Sequence, residues 1–446
     1  MPVESVLLYI VGILVVVVGL VVSIALHELG HFVPAKAFGV RVGQFMIGFG
    51  KTIWSTRRGE TEYGFKWIPL GGYISMAGMY PPAKGEAEGR TASTGFFQTL
   101  VQDARAASAD TIPEGDEHRT FFRLPVWKRI IIMLGGPFMN LVIAVVLYAV
   151  VLMGFGINQP STTLGSINEC VVPATSAVQE CGPDTPVAPG NEAGLLPGDR
   201  VLSIDGRTIT EWQDISDAIR PAAGRTIPVV VERDGEEVSL RLTPLLTERF
   251  VLDDRGQILE DAAGNPVTEE VGFAGIAPAY ETVQQPASEV LPAVGENVEA
   301  VARIIVTLPQ RMIDVAQAAF GPAERDPNGP ISVVGVGRIA GEIASLDTIP
   351  IVERASFLVG VLAALNVALF VFNLIPLLPL DGGHVAGALF EKLRRFLAKL
   401  FGRPDPGPLD TARLVPITLG VVLVLGVMSA LLIYADIVNP VRLFAP

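Results

Sequence analysis

Residues 6–31 read VLLYIVGILVVVVGLVVSIALHELGH, and the reading of that stretch decides the fold. Val6 to Leu26 carries no charge and is almost all Val, Leu, Ile and Gly. That is about the length that crosses a hydrocarbon core as a helix. A cleaved signal peptide would put Lys or Arg ahead of a shorter apolar run and end it on small residues. Here Glu4 leads, the run is too long, and the cluster His27-Glu28-Leu29-Gly30-His31 follows with no such site before it. The stretch reads as a retained transmembrane helix with ionisable residues at its end. Such residues each cost roughly 2.5–3.5 kcal/mol at mid-membrane, so they mark function.

The rest of the chain fits a membrane protein. Half of its 446 residues are apolar and only 18% are charged, too little for the surface of a soluble acidic protein of this size. Three more apolar spans follow, Ile130 to Phe155, Phe357 to Leu378 and Leu414 to Ala435. Four spans put both termini on one side. Segment 32–129 carries 13 Lys+Arg against 9 Asp+Glu, and segment 391–413 carries 6 against 3. Segment 158–355 carries 13 Arg, no Lys and 30 Asp+Glu. The positive-inside rule then places the first and third loops in the cytoplasm, and the termini and the acidic segment outside. Cys170 and Cys181, the only cysteines, both fall in that external segment. An oxidising compartment favours a bridge between them; two buried thiols are the alternative.

Along the chain, transmembrane helix 1 occupies 1–39, and 40–80 alternates Gly, aromatic and β-branched residues as short strands do. This region is expected at the membrane interface. Residues 81–127 lack periodicity and read as a flexible cytoplasmic loop before helix 2 over 128–157. Within 158–246, Gly194-Leu195-Leu196-Pro197-Gly198-Asp199, Val201 to Gly206, a helix near Trp212 to Ile219 and strands Pro228 to Arg233 and Glu237 to Thr243 follow in the order of a bacterial PDZ domain. Residues 247–350 read as a linker plus an amphipathic helix from Ala287 to Phe320. Helix 3 takes 351–390, a cytoplasmic loop 391–413, and helix 4 with a tail 414–446. The fold class is thus a multi-pass α-helical membrane protein of four transmembrane helices, with a membrane-associated β region and an extracytoplasmic α+β domain.

The chemistry starts at His27 and His31. At i and i+4 on a helix both imidazoles leave one face and can grip one metal ion, with Glu28 beside them as general base. Zinc held this way lacks one protein ligand. The run Asn373-Leu374-Ile375-Pro376-Leu377-Leu378-Pro379-Leu380-Asp381-Gly382-Gly383-His384 interrupts helix 3, its prolines removing donors and its glycines loosening it further. By chemistry alone either Asp381 or His384 could ligate. His118, in a polar loop, reads as a solvated residue.

Together these features resemble the site-2 intramembrane metalloproteases, and within them the bacterial regulator-of-sigma type. Gly136-Pro137-Phe138-Met139-Asn140, Gly48-Phe49-Gly50, Glu60 to Gly64 and Pro69-Leu70-Gly71-Gly72-Tyr73 match motifs of that family. The resemblance implies one catalytic zinc on His27, His31 and Asp381, Glu28 as base, and Asn373 contacting substrate backbone. Asn140 either does the same or packs helices through its amide, and Gly71-Gly72 would let a substrate strand approach closely. It also implies single-span membrane substrates such as anti-sigma factors, already trimmed by a site-1 protease. The plasma membrane is the expected location, with the site towards the cytoplasm and no nucleic-acid partner. Two other readings are a catalytically silent PDZ scaffold and an intramembrane metal transporter; neither needs Glu28 as a base.

Overall fold

A computed structural model describes residues 3–81, 96–176, 180–183, 185–252, 258–259, 261, 265–321, 325–326 and 329–441. The chain separates into two compact units, Met1–Phe155 with Pro286–Pro446, and Gly156–Gln285.

The first unit opens with α1 (Val3–Ala37), one continuous helix that carries the apolar run and the His27–His31 cluster together. Next come β1 (Val42–Arg58) and β2 (Thr61–Met76), two bent runs built of short paired segments: Gln44 to Ile47 has partners on both sides, Glu62 to Phe65 and Gly72 to Ser75, while Thr52 to Arg58 pairs with Thr61 to Lys66. Gly48 and Gly50 have φ of 91° and 86°, so they bend the strand at register shifts without ending its pairing. At the hairpin tip Glu60 accepts two hydrogen bonds from Arg119, at 2.7 and 2.9 Å, and one from Lys36. Chiefly through Arg119, its carboxyl is held well below the ordinary range, at about 2.

The segment expected to be a flexible loop contains a helix, α2 (Phe96–Asp110). Residues 82–95 of that segment lie outside the described residues. Long-range polar contacts, invisible to local periodicity, hold α2: Arg105 Nη2 reaches Asp410 Oδ2 at 2.5 Å, and Ser108 Oγ accepts from the Tyr80 amide at 3.0 Å. Then α3 (Val126–Ala149) runs on through a π-helical turn, Val150–Phe155.

The second unit is a sheet ordered β10-β3-β4-β6-β7 with β5 on β4, plus a separate β8–β9 hairpin. Its elements are β3 (Ile157–Ile167), α4 (Pro189–Glu192), β4 (Arg200–Ile204), β5 (Arg207–Thr208), α5 (Trp212–Ile219), β6 (Ile227–Arg233), β7 (Glu236–Leu242), β8 (Leu245–Phe250), β9 (Thr268–Phe273) and β10 (Ile276–Val283). Ile215 and Ile219 of α5 pack with Leu164, Ile204, Ile227 and Val231 of the sheet in one core. The two-residue turns Asp205-Gly206 and Asp234-Gly235 hold positive φ at every position, as tight hairpins require. Asp199 is buried; Arg233 clamps it from two nitrogens at 2.7 and 2.8 Å and holds its carboxyl below the usual range. A disulfide joins Cys170 to Cys181. This unit does not stop at 246: β8, β9 and β10 belong to it, and β10 pairs with β3 from Ile276↔Ile167 to Val283↔Ile157. Pro278 and the polar residues around it hide that strand in the sequence. A linker therefore cannot begin at 247.

The first unit resumes with α6 (Val290–Phe320), matching the amphipathic spacing. An unforeseen helix, α7 (Val333–Ser345), follows; the Ser332 side chain caps it by accepting from the Val334 and Gly335 amides. It lies along the first half of α1, where a Cβ on Gly12 would come within 2.6 Å of Ala344 Cβ. Then come α8 (Ile351–Asn373), α9 (Asp381–Leu400) and α10 (Val415–Val438). The third span ends earlier than expected, at Asn373, and residues 391–400 complete α9 rather than a loop. Gly382 and Gly383 do not loosen the helix. They sit in its first turn, where a Cβ on Gly383 would lie 2.5 Å from Leu378 N and 2.6 Å from Leu377 C. The absent side chains let α9 restart directly against the turn that broke α8.

Among the described residues four helices, Val3–Ala37, Val126–Phe155, Ile351–Asn373 and Thr411–Val438, are long and apolar enough to cross a membrane. At most 22% of any of their apolar windows is buried inside the protein. Apolar surface on that scale, turned outward, is the mark of a membrane protein.

Candidate metal centre

The centre lies where α1, α3, β2 and the start of α9 meet. His27 and His31 sit one turn apart on α1, their rings edge to face and their Nε2 atoms 3.2 Å apart. Asp381, at the first position of α9, brings Oδ2 to 3.5 Å from His27 Nε2 and 3.3 Å from His31 Nε2. Among the described residues these three form the one cluster whose ligand atoms all lie within 4.8 Å of each other. His384, one turn further along α9, is not part of it, and His118 is exposed on a 3-10 turn.

The donor set fits a small tetrahedral cation. With metal–ligand bonds of about 2.0–2.1 Å, ligand atoms on a tetrahedron stand about 3.3–3.4 Å apart, matching the observed triangle. His31 Nδ1 lies 2.7 Å from the Ile132 carbonyl, which can only accept, so Nδ1 carries the proton and Nε2 presents its lone pair. Asp381 Oδ2 is buried without a hydrogen-bond partner, although it points at both imidazoles. An anionic oxygen left so would be costly without a cation beside it.

Glycines set how closely the helices approach. At Gly30 and Gly135 the backbones of α1 and α3 touch, and a Cβ on either would overlap the carbonyl of the other. Gly136 backs both histidines: a Cβ there would overlap His31 Nε2 and lie 2.7 Å from His27 Nε2. Gly136→Ala should therefore push the imidazoles out of place and weaken metal binding by at least the 10–100-fold seen for outer-shell changes. A chelator-competition titration reads this directly. An affinity within twofold of the parent would show that the histidines do not depend on Gly136.

Glu28 is buried, and His31, His27 and Asp381 are all within electrostatic reach. Strand β2 passes directly over it, since a Cβ on Gly72 would lie 2.9 Å from Glu28 Cγ. Gly71 beside it adopts φ of 123° and packs against the Phe49 ring. Asn140 is fully buried one turn beyond Gly136, its amide making no hydrogen bond among the described residues. Asn373 closes α8, separated from Asp381 by the turn 374–380.

Two tethers escaped sequence reasoning. Asn366 Nδ2 of α8 donates to Ser23 Oγ of α1 at 2.9 Å, one turn before His27. Arg129 Nη2 at the start of α3 donates to the fully buried Glu391 of α9 at 2.7 Å, and the Leu409 amide donates to the other Glu391 oxygen at 2.9 Å. For Ser23 and Asn366 a polar side chain inside an apolar span was the available signal; Arg129 and Glu391 lie outside the spans and gave none.

Peptidase family M50 matches residues 15–401. The chain belongs to that family. Among similar proteins, zinc metalloprotease Rip1 of Mycobacterium tuberculosis is 33% identical over 444 residues, covering 98% of this chain and 100% of that protein. Its namesake in Mycolicibacterium smegmatis is 32% identical over 447 residues, covering 97% and 99%. Metalloprotease MmpA of Caulobacter vibrioides is 30% identical over 404 residues, covering 86% and 88%. This M50 peptidase is accordingly a zinc metalloprotease of the membrane.

Proposed function

We propose that this M50 peptidase cuts peptide bonds within transmembrane segments of single-span regulators of the anti-sigma type, after another protease has trimmed them outside. The observation that carries the reading is the convergence of His27, His31 and Asp381 beside Glu28 at the junction of membrane helices. One zinc would be held by His27, His31 and Asp381; when bound, it supplies the Lewis acidity that activates water and polarises a carbonyl. Glu28 would accept the proton of the attacking water and return it to the leaving amine. Gly71 and Gly72 leave strand β2 bare beside Glu28, so an unwound substrate could pair along the hairpin edge. Asn140 and Asn373 are the amides we assign to substrate backbone.

We assign the unit Gly156–Gln285 to a PDZ domain that controls access from outside. The termini share that side, with the centre towards the cytoplasm of the plasma membrane. A silent scaffold or a transporter has no use for Glu28 at this position.

The test is where the cut falls. The purified chain in nanodiscs should cleave a single-span reporter inside its membrane segment, read by mass spectrometry of the products. Removing the reporter's external domain should speed the reaction. Cleavage confined to soluble, extramembrane segments would overturn the proposal.

A further inference from the structure

The outer face of α9 has no partner among the described residues of the protein. Its inner face is anchored through Ala388 and the buried Glu391, which Arg129 and the Leu409 amide hold. Leu389, Leu393, Phe396 and Leu400 recur at i, i+4, i+7 and i+11, so they form one stripe on the opposite side. Phe396 is 61% and Leu400 67% exposed, and Phe390 and Leu397 widen the stripe. Along one border stand Lys392 and Lys399, seven residues apart and exposed; Arg394 borders the other side. This is the cross-section of a helix lying in a membrane interface, its apolar face sunk among acyl chains and its lysines reaching the headgroups.

The neighbourhood agrees on depth. Two residues before the Arg129 anchor, Trp127 is 55% exposed on the first turn of α3 with the Lys128 ammonium over its ring at 5.5 Å. Exposed tryptophan beside lysine marks the headgroup level of a membrane protein. Charge selects among lipids: segment 391–413 carries six basic residues against three acidic ones.

From this we infer that α9 is an interfacial helix that docks on anionic phospholipid headgroups, with Lys392 and Lys399 as its contacts. Because Asp381 is the first residue of α9, the leaflet's hold on this helix is also a hold on the metal centre. Headgroup charge thereby becomes an input to the protease. The inference rests on reading four helices as membrane spans and on Asp381 belonging to the centre.

The full chain can be tested with a single reporter thiol, because its two cysteines are bridged to each other. Phe396→Cys carries a fluorophore, and the protein, one copy per nanodisc, is placed in brominated phosphatidylcholine with or without one-third phosphatidylglycerol. Val424→Cys on α10 is the control for spanning and should be quenched in both lipids. Quenching at position 396 should be stronger with phosphatidylglycerol. Lys392→Gln with Lys399→Gln should weaken docking about fivefold per lysine, roughly 25-fold for the pair. Cleavage of the reporter substrate should be faster with phosphatidylglycerol and lose that response in the double variant.

Three results would each overturn the inference: equal quenching in the two lipids, no quenching at 396 while α10 is quenched, or cleavage indifferent to phosphatidylglycerol. Absence of quenching on α10 would instead strike at the spanning reading, and absence of all cleavage in either lipid at the protease reading. Nanodiscs expose both faces, so the outcome does not depend on which face is cytoplasmic.

Discussion

Glu28→Gln should silence the protease and leave its metal in place. The amide keeps the shape of the carboxylate in its buried position beneath Gly72, so packing is preserved. What disappears is a base able to take a proton. General acid–base catalysis typically contributes 10²–10⁴-fold, and a loss in that range is expected in kcat. Metal content after dialysis should match the parent, because Glu28 lies outside the triangle of His27, His31 and Asp381. Activity within tenfold of the parent would remove Glu28 from the mechanism. Metal loss in this variant would make it a ligand instead.

Asp381→Ala should have the opposite signature. It removes the one anionic corner of the triangle and leaves two imidazoles, too few protein ligands for a catalytic zinc site. Affinity should fall by more than the 10–100-fold typical of changes one shell further out. The variant should therefore come through dialysis without metal and without activity. His384→Ala, a turn away on the same helix, should keep its metal. Retention by Asp381→Ala together with loss by His384→Ala would assign the third ligand to His384.

The centre was legible to an uneven degree, for physical reasons. His27, Glu28 and His31 share one helical face, and spacing alone announces such a face. The break at Pro376 and Pro379 marks Asp381 and His384 alike, because a membrane rarely tolerates broken backbone without a purpose; only the family resemblance singles out Asp381. Sequence could not show how α1 meets α3. That crossing depends on Gly30 and Gly135 facing each other across more than a hundred residues of chain, and a glycine in an apolar run looks like any other. Arg129–Glu391 was hidden for the same reason, each partner being unremarkable until the fold brings them together, whereas Ser23 and Asn366 announce themselves only as polar residues inside apolar spans. In the other unit, β10 was passed over because Pro278 weakens its strand pattern. Its pairing with β3 supplies what local propensity lacks.

The contact between Gly30 and Gly135 has a consequence for traffic. Where two helix backbones touch there is no width for a third chain, so the α1–α3 seam is closed to a polypeptide. Farther along α1, α7 lies against its first half at Gly12, and the Ser23–Asn366 bond ties it to α8. On the flank covered by β2, it is Gly72 that lies against Glu28. Under the proposed function, a substrate would therefore come in along the hairpin rather than by parting α1 from α3.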